Sequence, residues 1–266
     1  MNNAAVPDFL VTKEYRHFEE FCGASRPERY IGICYGPPGV GKTLSARHYE
    51  KWDLLEGRDP MAFGEAVPME IADCRSLLYT PPVTNLPRAV RSSLNEGLIL
   101  LRGLVGRARG PVHPDGQADF STQCELIIVD EADRLNTPSL EELRDFYDRG
   151  EIGLVLTGMP GLEKRRARYP QLYSRVGFAR AFRPLSQDET RFVLKQHWQR
   201  WGGTIRSDEF ADQEAVAVII TITAGNFRLI DRLMSQVRRI KELNRLSTVT
   251  RELVDAARDC LVIGTA

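Results

Sequence analysis

The segment Gly36-Pro37-Pro38-Gly39-Val40-Gly41-Lys42-Thr43 has the spacing G-x-x-x-x-G-K-[ST], and each residue type in it suits the holding of phosphates. Glycines let successive backbone N–H groups turn inward around phosphate oxygens, and a helix opening at the end of the loop adds its partial positive charge. Lys42 supplies an ammonium for the β- and γ-phosphates, and Thr43 supplies a hydroxyl ligand for Mg²⁺. With Leu44 continuing into the helix, Gly36, Pro37, Pro38, Gly39, Val40, Gly41, Lys42, Thr43 and Leu44 form the expected binding set, and ATP with Mg²⁺ are the expected cofactors.

A second group completes this chemistry. Leu126, Ile127, Ile128 and Val129 are followed by Asp130 and Glu131, so two carboxylates emerge at the end of an apolar strand. Asp130 is the expected second Mg²⁺ ligand, through water, and Glu131 the group that orients and deprotonates the attacking water.

Elements must bring the two groups together. Apolar runs at residues 30–35, 67–72, 126–129 and 153–157, with a weaker one at 177–182, alternate with stretches able to form helices. This pattern predicts an α/β fold, a parallel sheet covered by helices, with ligands at the carboxyl ends of the strands. Residues 8–23 carry a helical pattern and form a lead-in segment. After Pro184 the strand signals stop. Ser186 and Glu189 make a capping box for a helix to about Trp201, ended by Gly202-Gly203, and helices near 208–223, 226–244 and 248–260 follow. The expected division is a lead-in at 1–29, a nucleotide-binding domain at 30–184 and a small helical lid at 185–266. Residues 106–122, rich in Gly, Pro and polar types, predict a surface loop.

The 36 basic and 36 acidic residues cancel, so any nucleic-acid surface must be a local patch. Arginine outnumbers lysine 30 to 6, which fits either genome composition or a demand for bidentate contacts. The five cysteines, Cys22, Cys34, Cys74, Cys124 and Cys260, never occur as C-x-x-C, which predicts reduced thiols and no zinc site. No apolar run is long enough to span a bilayer, so a cytoplasmic protein without membrane contact is expected. The four histidines show no metal-ligand spacing, and Trp198 and Trp201 are expected in a core.

With these motifs in this order, the chain resembles the AAA+ ATPases over roughly residues 30–230. That resemblance implies further roles. Thr157, ending the strand from Gly153, stands where a sensor residue contacts the γ-phosphate or lytic water. Gly225-Asn226-Phe227-Arg228 resembles the segment whose arginine reaches back to the γ-phosphate, assigning that role to Arg228. Leu172-Tyr173-Ser174-Arg175 resembles the segment carrying an arginine finger that acts on a neighbour's ATP, so Arg175 is the candidate. Arg165, Arg166, Arg168 and Arg180 are alternatives, and the cluster Lys164, Arg165, Arg166 and Arg168 fits a subunit interface.

Within that family, Asp130-Glu131-Ala132-Asp133-Arg134-Leu135, the compact size and the short lid resemble the MuB/TnsC/TniB group. The implication is an ATP-dependent ring or filament of this chain on duplex DNA, without sequence preference, that serves a transposase. In that group DNA contacts follow the second strand. Here that region holds Arg75, Arg88, Arg91, Arg102, Arg107 and Arg109, with Arg88, Arg102 and Arg109 at multiples of seven. The same stripe also fits a solvated face or an ion-pair surface. The rival function is a signalling or defence switch that controls a protein partner without touching DNA.

Overall fold

The computed structural model describes residues 9–62, 64–110, 124–167, 169–198, 210–246 and 248–261. The chain divides into two compact units, one running Lys13–Gly36 and Lys42–Phe182, the other comprising Pro37–Gly41, the chain from Arg183 onward and the residues just before Lys13.

In chain order the first unit carries α1 (Lys13–Ser25), β1 (Ile31–Tyr35), α2 (Lys42–Tyr49), α3 (Trp52–Leu55), β2 (Ser76–Tyr79), α4 (Pro87–Arg109), β3 (Leu126–Val129), α5 (Thr137–Gly150), β4 (Gly153–Gly158), α6 (Pro170–Tyr173) and β5 (Val176–Ala181). The strands form one parallel sheet in the order β2-β3-β4-β1-β5. Helices flank it as the alternating pattern predicts. Ile31 and Ile33 join a core with Val90, Leu94 and Leu101 of α4 and with Leu140 and Leu143 of α5. Gly32, between them, faces the other way and lies against the Phe21 ring of α1, because side chains alternate along a strand. The lead-in helix thus buries Phe18, Phe21 and Cys22 on the opposite face.

One strand expectation fails. Residues 67–72 form no strand; Met69–Ile71 is a single 3-10 turn, and the second strand is Ser76–Tyr79. Pro68 has no N–H to give a ladder, whereas all four residues of Ser76–Tyr79 are buried and paired with Leu126–Val129. The expected loop from 106 also starts late, since α4 continues through Arg109 and stops at Gly110 with φ of 78°. The rest of that loop, at 111–122, lies outside the described residues.

The second unit carries α7 (Gln187–His197), α8 (Phe210–Thr223), α9 (Phe227–Leu243) and α10 (Arg251–Asp259). Ser186 and Glu189 form the predicted capping box, while Asn226 and Thr250 cap α9 and α10 through their side-chain oxygens. Val193, Leu194, Trp198, Ile219, Leu233, Val237 and Val254 make its core. Trp198 is a core residue as expected, and Trp201 and Gly202-Gly203 lie outside the described residues. Among the described residues no helix is long and apolar enough to cross a membrane. Cys22, Cys34, Cys74 and Cys124 are buried free thiols, and burial pushes Cys34 and Cys124 up to about 12.

Glu50, just after α2, is 1% exposed, and neither carboxylate oxygen finds a hydrogen bond among the described residues. Burial pushes its pKa up to about 8, against the opposing pull of the Ser76 hydroxyl and Arg26. A folded-state pKa above the unfolded value means that the folded chain holds this proton more tightly. Stability from this group is complete below the ordinary carboxylate range and falls as pH rises toward 8. Each pKa unit corresponds to about 1.4 kcal/mol, so Glu50→Gln should flatten the fall in Tm between acid and mildly alkaline pH by several degrees. Melting curves of the two proteins that stay parallel across that range would contradict this.

Candidate active site

Sheet register explains why the motif residues meet. Cys34 pairs with Thr157 across β1 and β4, and Val129 pairs with Leu156 across β3 and β4, so Asp130, one residue on, arrives beside Thr157. The glycine loop leaves β1 at the same end of the sheet. Gly36 must be glycine, because a Cβ there would lie 2.2 Å from the Phe182 carbonyl oxygen. Gly39 and Gly41 have φ of 80° and 109°, a region that other residues enter only with strain.

Asp130 is 2% exposed and accepts two hydroxyl hydrogen bonds. Thr43 donates to one carboxylate oxygen at 2.6 Å and Thr157 to the other at 2.5 Å. A carboxylate and a threonine hydroxyl in contact at the start of α2 are the hard oxygen donors that Mg²⁺ requires, so these residues fit the ion. The Lys42 ammonium donates to the Gly36 carbonyl at 2.6 Å, closing the loop on itself where phosphates would be held. Val40 is buried and Leu44 is 48% exposed.

Glu131 follows with φ of 51°. Its carboxylate is ion-paired with Arg134, three residues on, and Arg134 also donates to the Pro81 carbonyl at 3.2 Å. The reading of the sequence missed this partner, although a charge pair at i, i+3 was a legible signal.

In the helical unit the turn of the loop is fastened to the start of α9. Asn226 donates to the Pro38 carbonyl at 2.8 Å while its side-chain oxygen caps the helix, and the Arg228 N–H donates to the Gly39 carbonyl at 3.0 Å. Arg228 is exposed and its Cβ lies against Gly39. Asn226 is a second residue missed as a site residue; its signal was an N-cap asparagine opening a helix.

Arg175 lies elsewhere. It precedes β5, and its carbonyl accepts from Ile31 at the start of β1, so the five residues of β1, roughly 16 Å at a strand's rise, separate it from the glycine loop. Its guanidinium grips both oxygens of Asp148 at 2.7 and 3.0 Å and donates to the Gln171 carbonyl at 2.6 Å. Among the alternatives, Arg165 donates to the Asp133 carbonyl at 2.9 Å, and the Arg180 Nε is buried with no hydrogen bond among the described residues. Arg168 and the Arg166 side chain lie outside the described residues.

Helix α4 is continuous, so Arg88, Arg102 and Arg109 do share one helix, but of the six arginines of this region four are already engaged. Arg91 pairs with Glu142 and Asp145, and Arg75 with Glu125. Arg109 donates to the Ala72 carbonyl and Arg107 to four carbonyls between Asp59 and Glu65. Arg88 and Arg102 are exposed and have no ion pair among the described residues.

A family model described as "AAA domain" matches residues 26–165. A Staphylococcus aureus protein named "Potential ATP-binding protein" is 43% identical, the match covering 97% of each chain. "Mu-like prophage FluMu DNA transposition protein B" of Haemophilus influenzae is 36% identical over 85% of this chain and 71% of that protein. Among solved structures, the Thermotoga maritima RuvB Holliday junction branch migration motor superposes with a TM-score of 0.59 at 16% identity, over 96% of this chain and 71% of that one. The chain therefore belongs to the AAA family. It is a P-loop ATP hydrolase.

Replacing Lys42 by Ala removes an ammonium placed at the loop. ATP affinity should fall by about tenfold or more, the equivalent of losing a single charge-assisted hydrogen bond. Titration with a fluorescent ATP analogue measures it, and unchanged affinity would remove Lys42 from the binding set.

Proposed function

We propose that this ATPase binds ATP with Mg²⁺, assembles into a ring or filament on duplex DNA and serves DNA transposition, presenting target DNA to a transposase. The observation that carries this reading is the 36% identity to a DNA transposition protein B across 85% of the chain. The residue geometry supports the ATPase half of it. Lys42 and the N–H groups of the loop and of α2 hold the phosphates, and Thr43 and Asp130 hold Mg²⁺. When bound, the ion compensates charge on the phosphate oxygens. Glu131 takes the proton of the attacking water once it leaves Arg134, and Thr157, held by Asp130, keeps that carboxylate in place. Arg228 begins beside Gly39 and supplies a guanidinium to the terminal phosphate.

Arg175 lies at the far end of the sheet from its own glycine loop, so a role in catalysis requires a neighbouring subunit. Arginine fingers contribute about 10³ to 10⁵ in rate where they act. Mixing Arg175→Ala with Glu131→Gln subunits should restore part of the ATPase activity that each lacks alone, because one class of mixed interface joins an intact arginine to an intact glutamate. Co-assembly without recovery would argue that Arg175 holds Asp148 and nothing more.

The DNA half is tested with the wild-type chain, ATP and Mg²⁺ on long duplex DNA. Binding should require ATP, ignore sequence and weaken with salt, log K falling by about 0.9 per phosphate neutralised. If no association occurs even at low salt, the transposition reading fails and a switch acting on a protein partner replaces it.

A further inference from the structure

Most described arginines of the first unit are engaged, whereas several on one helix of the second unit make no side-chain contact among the described residues. Helix α9 buries Ile230, Leu233, Met234 and Val237. At about 100° per residue, Arg232 and Arg239 fall within roughly 20° of one another on the opposite side, with Arg238 to one side and Arg245 just past the helix end. All four are exposed, and none of their guanidinium groups makes a hydrogen bond or ion pair among the described residues. Three acids of the packed helices are already paired. Asp255 of α10 is held by Arg251 and Arg258, Asp259 by Arg258, and Glu214 of α8 by Arg251. On α9 itself only Asp231 and Glu242 oppose the four arginines.

Leaving four guanidinium groups unpaired on and just past one helix costs little in water, but it creates a local positive field on a chain whose net charge is zero. We infer that Arg232, Arg238, Arg239 and Arg245 form a surface for the phosphate backbone of duplex DNA, additional to Arg88 and Arg102 of α4; this rests on the DNA reading above. Seven residues of helix separate Arg232 from Arg239, about 10 Å of rise, so the pair can reach separate phosphates of a duplex that carries one charge per roughly 1.7 Å of axis. Guanidinium groups bind phosphate oxygens in pairs, which suits arginine over lysine here. A second copy of the chain is a poor alternative partner at its most acidic helix, because Glu141, Glu142, Asp145 and Asp148 of α5 already face their own arginines.

The test compares wild type, Arg232→Ala/Arg239→Ala, Arg232→Lys/Arg239→Lys and Arg88→Ala/Arg102→Ala by fluorescence anisotropy on a labelled duplex with ATP and Mg²⁺ across a salt series. The α9 alanine pair should lose about tenfold or more in affinity at low salt and flatten the salt slope by up to about two units. The lysine pair, which keeps the charge, should retain most of the slope. ATP hydrolysis without DNA should not change in either. Wild-type affinity and slope in the α9 alanine pair, with weakened binding in the α4 pair, would overturn the inference and leave the DNA reading standing. Equal losses in the lysine and alanine pairs would assign these side chains to packing and also overturn it. Loss confined to binding of polyglutamate, with duplex binding intact, would assign the face to an acidic protein instead. A wild-type chain that binds no duplex would remove the reading beneath it.

Discussion

Asp130 is the group on which the arrangement of the site depends. It stands at the end of a buried strand and accepts one hydroxyl from the helix after the glycine loop and another from the neighbouring strand. A buried carboxylate without partners would cost several kcal/mol. Two hydroxyl hydrogen bonds satisfy it, and Mg²⁺ bound beside them would supply a countercharge. The same residue fixes α2 against β4.

The neighbouring carboxylate is treated differently. Glu131 adopts a left-handed backbone conformation, which turns it out of the strand, and Arg134 takes its charge. Arg134 belongs to the same 3-10 turn and reaches the Pro81 carbonyl, while Asn85 donates to the Arg134 carbonyl at 2.9 Å and accepts from the Asn136 N–H at 3.3 Å. The turn after β3 is thereby bound to the segment after β2, where Val83 and Leu86 are 81% and 65% exposed. Anything that displaces that segment acts on the carbonyl partner of Arg134, and so on its ion pair with Glu131.

Much of the site was legible because its signals are local. The glycine loop, the strand leading into Asp130, the strand carrying Thr157 and the Ser186 capping box each fit within about ten residues, where residue type alone determines what the backbone can do. The second strand was misplaced because its identity is not local: Val67 and Ile71 look more strand-like than Ser76, and only pairing with β3 decides between them. The same reason explains the arginines. Arg75 and Arg91 meet carboxylates 50 and 51 residues away, so no reading of spacing along α4 could tell an engaged arginine from a free one. The fold, not the stripe, decides which charges remain for a partner.

A parallel sheet has chemically distinct ends, and this gives the subunit a direction. Thr43, Asp130 and Thr157 meet where strands finish, while Arg175 and its partner Asp148 sit where strands begin. Two groups about 16 Å apart at a strand's rise cannot act on one phosphate. For Arg175 to act in hydrolysis, the start of one sheet must face the finish of the next, which is a head-to-tail contact. Such contacts are heterologous and generate rings when the rotation closes and helical filaments when it does not. The bidentate hold of Asp148 must then be exchanged for phosphate oxygens at each interface. An ion pair that is partly exposed, with 36% of the arginine side chain accessible, is worth little enough to be exchanged, whereas a fully buried one would resist.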